Sequence, residues 1–247
     1  MATTIDLTGR VVLVTGGGRG VGRGIADVFG EAGAMVVICG RTEPDATDLE
    51  FIACDVRDPE QVDGLVGTIV ERHGRLDVAV NNAGGSPAAD ASSASPRFSS
   101  AIVNLNLMAA LHVGQAANAV MQLQPEGGSI LNIGSVSGMR PSPGTAAYAA
   151  AKGGLIALTQ TLAVEWAPKV RVNVVTGGII ATEQTNEFYG DEANQKAIAA
   201  AIPLGRMGTP LDVGNACLFL ASPLAAYITG ANLVVHGGGE PPRYLNP

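Results

Sequence analysis

Charge is scarce in this 247-residue chain: 15% of residues are Asp, Glu, Lys or Arg, and 15 basic residues against 22 acidic ones leave a formal charge of -7. Binding a phosphate backbone needs a basic surface, and no Lys/Arg cluster offsets the average, so a nucleic-acid partner is disfavoured. Cysteine is scarce too. Cys39 and Cys54 fall in apolar strand contexts and Cys217 in an apolar helix, with no metal-ligand spacing, so they read as reduced core residues and no metal is expected. The chain also lacks a run of eighteen apolar residues, and it lacks a basic start followed by an apolar signal segment. The expectation is a soluble, cytoplasmic protein with no membrane association. Internal repeats, long linkers and a charged tail are missing as well, which leaves small-molecule chemistry.

Hydrophobic residues make up 47% of the chain, enough for one large α/β domain over 1–247 with a well-buried core. Apolar strand-like runs recur near residues 11, 35, 50, 77, 129, 170 and 231, with helical segments between most of them. That alternation predicts a doubly wound, Rossmann-type parallel sheet of about seven strands in a three-layer α/β/α fold. One connection breaks the pattern. Between MVVICGR and LEFIACD only TEPDATD remains, too short for a crossover helix, so a helix is expected to be missing and the wall there to be flatter and more open. GGSPAADASSASPRFSS, from Gly84, reads as a polar loop bordering the site. The tail GGGEPPRYLNP has two prolines and no regular pattern, and reads as a segment laid across a subunit boundary or as disordered.

VVLVTGGGRGVGRGIADVFGEAGAMVVI reads as strand, glycine turn, amphipathic helix and second strand. Gly16, Gly20 and Gly22 would allow a tight turn, close approach of a pyrophosphate to backbone N–H groups, and close packing at a helix N-terminus whose dipole favours anions. With 33 glycines in the chain the spacing alone is a weak signal, and the flanking strand and helix give it weight.

Tyr148 and Lys152, four residues apart in AAYAAAKGGL, share one helix face. At random this pair should occur only about 0.05 times in a chain of this composition. A cation beside a phenol favours the phenolate and lowers the phenol's pKa, which makes a proton donor and acceptor. Thirteen residues upstream, Ser135 closes the strand signal SILNIGS and so emerges at a strand terminus, where active sites of open α/β sheets lie. His112 and His236 sit in no comparable motif and are assigned no chemistry.

Together these residues resemble the short-chain dehydrogenase/reductase family in its single-domain branch, over nearly the whole chain. TGGGRGVG fits the family's glycine loop, and NNAG at Asn81 to Gly84 fits its fourth-strand motif. Asn106, Ser135, Tyr148 and Lys152 fit the catalytic tetrad, with Asn104 and Ser137 as decoys. RVNVVTGGIIAT at Arg171 to Thr182 fits the strand and nicotinamide loop, and PLGRMGTPLDVGNACLFLASPLAAYITGANLVVHGGG fits the C-terminal helix and last strand.

The resemblance implies the strand order 3-2-1-4-5-6-7 and hydride exchange between a nicotinamide cofactor and a carbonyl or secondary alcohol. Tyr148 would move the proton and Ser135 orient the oxygen. Lys152 would depress the Tyr148 pKa and hold the nicotinamide ribose, and Asn106 would hold a water. It further implies cofactor contacts at Gly16, Arg19, Gly20, Val21, Gly22, Asn82, Ala83, Gly84, Ile180 and Thr182, an Asp55 contact to the adenine amine with Val56 contributing backbone, and a homotetramer built through the helices carrying Asn106 and Tyr148 and the last strand. Gly177-Gly178 replaces the usual Pro-Gly, and extra backbone freedom is expected there.

NAD sites of this fold use an acidic residue at the end of the second strand. Here Gly40 takes that place, followed by Arg41, with Arg19 in the glycine loop; two guanidinium groups facing a 2′-phosphate make NADP(H) the favoured cofactor and NAD(H) the alternative. Residues 183–207 match the substrate lid, and Phe188, Tyr189, Ile198 and Ile202 suggest a partly apolar substrate: a 3-oxoacyl thioester, a ring ketone or a small secondary alcohol.

Overall fold

A computed structural model of the protein describes residues 4–239. The C-terminal segment 240–247, where most of the tail expectation falls, lies outside the described residues. Seven strands, β1 (Val11–Thr15), β2 (Met35–Gly40), β3 (Glu50–Ala53), β4 (Val78–Asn81), β5 (Gly128–Ser135), β6 (Val170–Gly177) and β7 (Asn232–Val235), form one sheet in the order β3-β2-β1-β4-β5-β6-β7, every pair parallel. Parallel strands covered on both faces need apolar side chains in both directions, and the run VVLVT of β1 is buried throughout.

Two core layers result. On one face, Val62, Leu65 and Ile69 of α2 (Pro59–His73), Val113, Ala117 and Met121 of α4 (Ala109–Met121) and Leu162 of α5 (Ala146–Glu165) pack on the sheet. On the other, Ile25 and Phe29 of α1 (Gly20–Glu31) meet Val213, Cys217 and Leu220 of α8 (Pro210–Ala221), which follows the short helices α6 (Thr185–Tyr189) and α7 (Glu192–Ala201). Local signals set the helix ends. Asp58 accepts from the N–H groups of Glu60 and Gln61 at the start of α2, and Gly74, with φ 75°, ends it. Thr209 and Asp212 form a reciprocal capping box for α8, with Arg206 bridging the Asp212 carboxylate. All three cysteines are free and buried.

Residues 41–49 contain no helix, as the short segment between the strands predicts, yet β2 and β3 still pair from Val37 with Glu50 to Gly40 with Ala53. The loop does not leave the wall open. Arg23 of α1 holds Asp48 at 2.9 Å, and Pro44 folds over the glycine turn so closely that a Cβ on Gly18 would lie 2.6 Å from the proline ring. Helix α3 (Pro96–Val103) runs into α4 through a π-helical turn, Asn104–Met108, which rotates Asn106 inward to 1% exposure and leaves Asn104 in solvent. The carboxyl ends of β1, β4, β5 and β6 line one crevice, where the strand order reverses.

Candidate active site

The glycine turn is built by backbone conformation and by close approach. Gly16 and Gly20 have φ of 65° and 55°, a region that disfavours side chains, and a Cβ on Gly22 would collide with the Gly16 carbonyl. Asn82 fastens the turn to β4: its Nδ2 donates to the carbonyls of Thr15 (2.9 Å) and Gly16 (3.2 Å), while Thr15 Oγ1 accepts from the N–H groups of Asn82 and Ala83, both at 3.0 Å. No side chain of its own segment caps α1. The Gly20 N–H instead donates to Glu183 Oε1 at 2.9 Å, so a carboxylate from the loop after β6 rests at the positive end of the helix.

Ser135 ends β5; its Oγ accepts from the Ser137 N–H at 3.2 Å, and the residue lines the cavity together with Tyr148. One helical turn along α5, Lys152 places its Nζ 5.6 Å from the Tyr148 ring centroid and donates to the Ile133 carbonyl at 2.8 Å. Asn106 donates through Nδ2 to the carbonyls of Gly85 and Ile102, both at 2.9 Å, and its Oδ1 accepts from the Gly85 N–H at 2.8 Å. Gly84 sits where these groups converge, since a Cβ there would lie 2.6 Å from Asn106 Oδ1 and 3.4 Å from Lys152 Nζ.

Electrostatics at the site differ from the sequence expectation. Burial raises the Tyr148 pKa above its usual value, the Ser135 hydrogen bond pulls it partly back, and Tyr189 raises it further. Lys152 does not depress it: the ammonium is directed to the Ile133 carbonyl, and its own burial lowers its pKa to about 8. Asp55 is held well below the usual carboxylate range, first by its hydrogen bond to the Arg57 guanidinium, with Arg41 adding a smaller pull.

Every residue expected to touch the cofactor, from Gly16 through Arg41, Asp55 and Val56 to Ile180 and Thr182, lines one cavity of about 1030 Å³, and Ser135, Tyr148 and Lys152 line it too. Asn106 stands behind that surface, against the backbone of Gly85. The cavity suits a dinucleotide: glycines keep Cβ atoms out of the β1 turn and of the Gly84 cradle, and a helix N-terminus faces the gap between them. Arg41 and Arg19 are exposed at its rim.

Three expectations need correction or extension. Gly177 and Gly178 both lie outside the positive-φ region, and Gly178 is needed for space, since a Cβ there would lie 2.6 Å from His236 Cβ. Asp55 is already paired with Arg57. Of the apolar lid residues, Tyr189 lines the main cavity, Ile202 lines a smaller adjoining one of about 250 Å³, and Ile198 lines neither, while the Phe188 side chain lies outside the described residues. Thr15, Pro44 and Glu183 escaped the sequence reading. Thr15 directly precedes the glycine loop and could have been found there; Pro44 and Glu183 act across the fold and leave no local signal.

Fold and cavity together define a dinucleotide-dependent oxidoreductase. The chain belongs to the short-chain dehydrogenase/reductase family, and as a member it acts on CH–OH groups with NAD(P). The profile of a family described as enoyl-(acyl carrier protein) reductase matches residues 16–240. The chain is similar to a 3-oxoacyl-[acyl-carrier-protein] reductase of Vibrio cholerae, 36% identical over 95% of this chain and 98% of that one. It is similar as well to an L-fucose dehydrogenase of Bos taurus, 37% identical over 97% and 93%. A ligand-free aldohexose dehydrogenase of Thermoplasma acidophilum superposes with a TM-score of 0.91 at 32% identity, over 96% of each chain.

Proposed function

We propose that this protein is a cytoplasmic, single-domain oxidoreductase that interconverts a carbonyl and a secondary alcohol with NADP(H), using Tyr148 as the proton donor and acceptor. The observation that carries the reading is the convergence of Ser135, Tyr148 and Lys152 on the cavity that the glycine turn also lines. The bound dinucleotide supplies a hydride donor or acceptor. Everything else falls to the chain's own side chains.

Ser135 Oγ holds the substrate oxygen beside the Tyr148 hydroxyl, so that proton and oxygen lie within hydrogen-bond reach. Burial keeps Tyr148 protonated at neutral pH, which suits donation to a carbonyl. Lys152, freed from Ile133 by a small side-chain rotation, binds the nicotinamide ribose. Asn106, anchored to Gly85, keeps the π-helical turn open beside Lys152 for a proton-relaying water. Arg41 and Arg19 receive the 2′-phosphate, and Asp55 with Val56 bounds the adenine. The names of the relatives suggest a 3-oxoacyl thioester or a sugar among the substrates to be tried.

A homotetramer through α4, α5 and β7 belongs to the same reading, supported by exposed apolar side chains at Leu123, just after α4, at Val164 on α5, and at Leu224 and Tyr227 ahead of β7. The test of the enzymatic reading is loss of NADPH absorbance against a panel of carbonyl compounds, with NADH in parallel. Turnover faster with NADPH supports it, and no turnover with either cofactor ends it.

A further inference from the structure

The ends of β2 and β3 carry two thiols that the proton transfer does not use. Cys39 pairs in parallel register with Ile52, and Cys54 stands two residues beyond Ile52, so the alternation of a strand puts both cysteines on one face of the sheet. They belong to one core cluster with Val37 and Val56. Just past the last paired residues the Cys54 N–H donates to the Gly40 carbonyl at 2.9 Å, which holds the two strand ends together beside the thiols. Both cysteines also line the main cavity, Cys39 next to Gly40 and Arg41, and Cys54 next to Asp55 and Val56. We propose that Cys39 and Cys54 are an oxidisable dithiol, a site that a peroxide converts to an intramolecular disulfide and that a bound adenosine shields. The shielding rests on the dinucleotide reading of the cavity; the bond itself does not.

The two sulfurs are not equivalent. A hydrogen bond from the Cys39 thiol lowers the pKa of Cys54 and raises that of Cys39, while burial and the Asp55 and Asp58 carboxylates pull Cys54 the other way. The thiolate is the nucleophile, so Cys54 attacks first and Cys39 resolves. With the two residues only 1% and 3% exposed, the cavity is the path by which hydrogen peroxide, little larger than water, meets them. Cys217 supplies a reference within the same chain. It lies in the other core layer, lines neither cavity, and burial raises its pKa.

The Cys54 thiolate attacks one peroxide oxygen, the O–O bond breaks, and hydroxide leaves and gains a proton, so that Cys54 becomes a sulfenic acid. Cys39 sulfur then attacks the Cys54 sulfur; the S–O bond breaks as the S–S bond forms, and the departing hydroxide takes the Cys39 proton. Two thiols lose two electrons and two protons, and one peroxide becomes two waters. A bond of about 2.05 Å requires diagonal neighbours on adjacent strands to approach, which shifts the strand ends that carry Arg41 and Asp55. The disulfide form should therefore hold the adenosine half of the cofactor more weakly.

The experiment treats the wild-type protein with hydrogen peroxide, quenches with catalase, and maps peptides without reduction. Titratable thiols should fall from three to one, with a Cys39–Cys54 link, loss of two hydrogens per chain, Cys217 still reduced, and full reversal by a dithiol reductant. Saturating NAD+ or NADP+ should slow the link, and the linked protein should bind both reduced cofactors about tenfold more weakly. Cys39→Ser should leave Cys54 to stop at the sulfenic acid, trapped by dimedone, and Cys54→Ser should leave Cys39 unreacted; the wild-type map decides even where a variant fails to fold. Independent overoxidation of the two cysteines, links between chains, Cys217 reacting first, or a linked protein with unchanged cofactor affinity would each overturn the inference. If neither cofactor binds the reduced protein, the dinucleotide reading falls instead, and the peptide map still tests the bond.

Discussion

Lys152 is a lysine held 4% exposed inside the protein, with its pKa lowered by burial from 10.5 to about 8. Between those values the unfolded chain binds the proton that the folded chain has released, so this residue makes stability rise as pH climbs from about 8 to 10.5. Below pH 8 both states carry the charge, and keeping it buried costs about 3 kcal/mol. Lys152→Met should therefore raise the melting temperature at pH 7 by several degrees, less the lost bond to the Ile133 carbonyl, while damaging both turnover and cofactor affinity. Calorimetry at pH 7 and pH 10 checks it: the gap between wild type and variant should shrink at the higher pH, and a variant less stable at pH 7 would contradict the argument. Tyr148→Phe is the complement. It should lower kcat by orders of magnitude with little change in cofactor affinity, since the phenolic proton is lost and the ring stays, and near-wild-type turnover would remove Tyr148 from the chemistry.

In the proposed reading, cofactor choice turns on the end of β2. Gly40 leaves room there, Arg41 follows it, and the loop 41–49 folds Pro44 against the glycine turn in place of a crossover helix. Arg41→Ala should weaken NADPH roughly ten- to a hundredfold, the loss of a charge-assisted contact worth about 1.5–3 kcal/mol, and leave NADH nearly unaffected. Gly40→Asp should act the same way by repulsion. Fluorescence titration of both reduced cofactors at fixed ionic strength decides it, because exposed charges are screened; equal weakening of both would make Arg41 a solvated turn residue. At the end of β6 the decisive quantity is space. Gly178→Ala should destabilise the protein by about 1–3 kcal/mol, because the new methyl meets the Cβ and backbone of His236 on the neighbouring segment, and an unchanged denaturant midpoint would show that β7 can shift without cost.

At the scale of the whole molecule the proposed assembly is tested on the exposed apolar residues. Leu123 is 87% exposed, Val164 80% and Tyr227 fully so, and a homotetramer that covers the α4/α5 face and the β7 edge would bury them. Sedimentation at micromolar concentration should report four chains, and a monomer would refute the assembly. The number of strands and the missing helix were legible beforehand because they rest on local patterns, whereas the strand order came from the family resemblance. Seven apolar runs became seven strands, TEPDATD was too short for a helix, and the i, i+4 spacing of Tyr148 and Lys152 put both on one side of α5. Asn106 was separable from Asn104 by motif register, but its reason is three-dimensional: the π-helical turn that buries one asparagine exposes the other.

What the sequence determined by itself, then, is whatever follows from neighbours in the chain: strand and helix periodicity, helix caps, the glycine turn, and the types of residue brought to the strand ends. Only the tertiary structure decided how those residues act on one another. The direction of the Lys152 ammonium depends on a carbonyl nineteen residues away, the Glu183 contact with Gly20 spans 163 residues, and Ser137 and Thr145 become a lining only once β5 and α5 enclose the cavity. Burial and close approach are properties of the packed molecule, and they set which charges are desolvated, which glycines are needed for space and which side chains line the cavity.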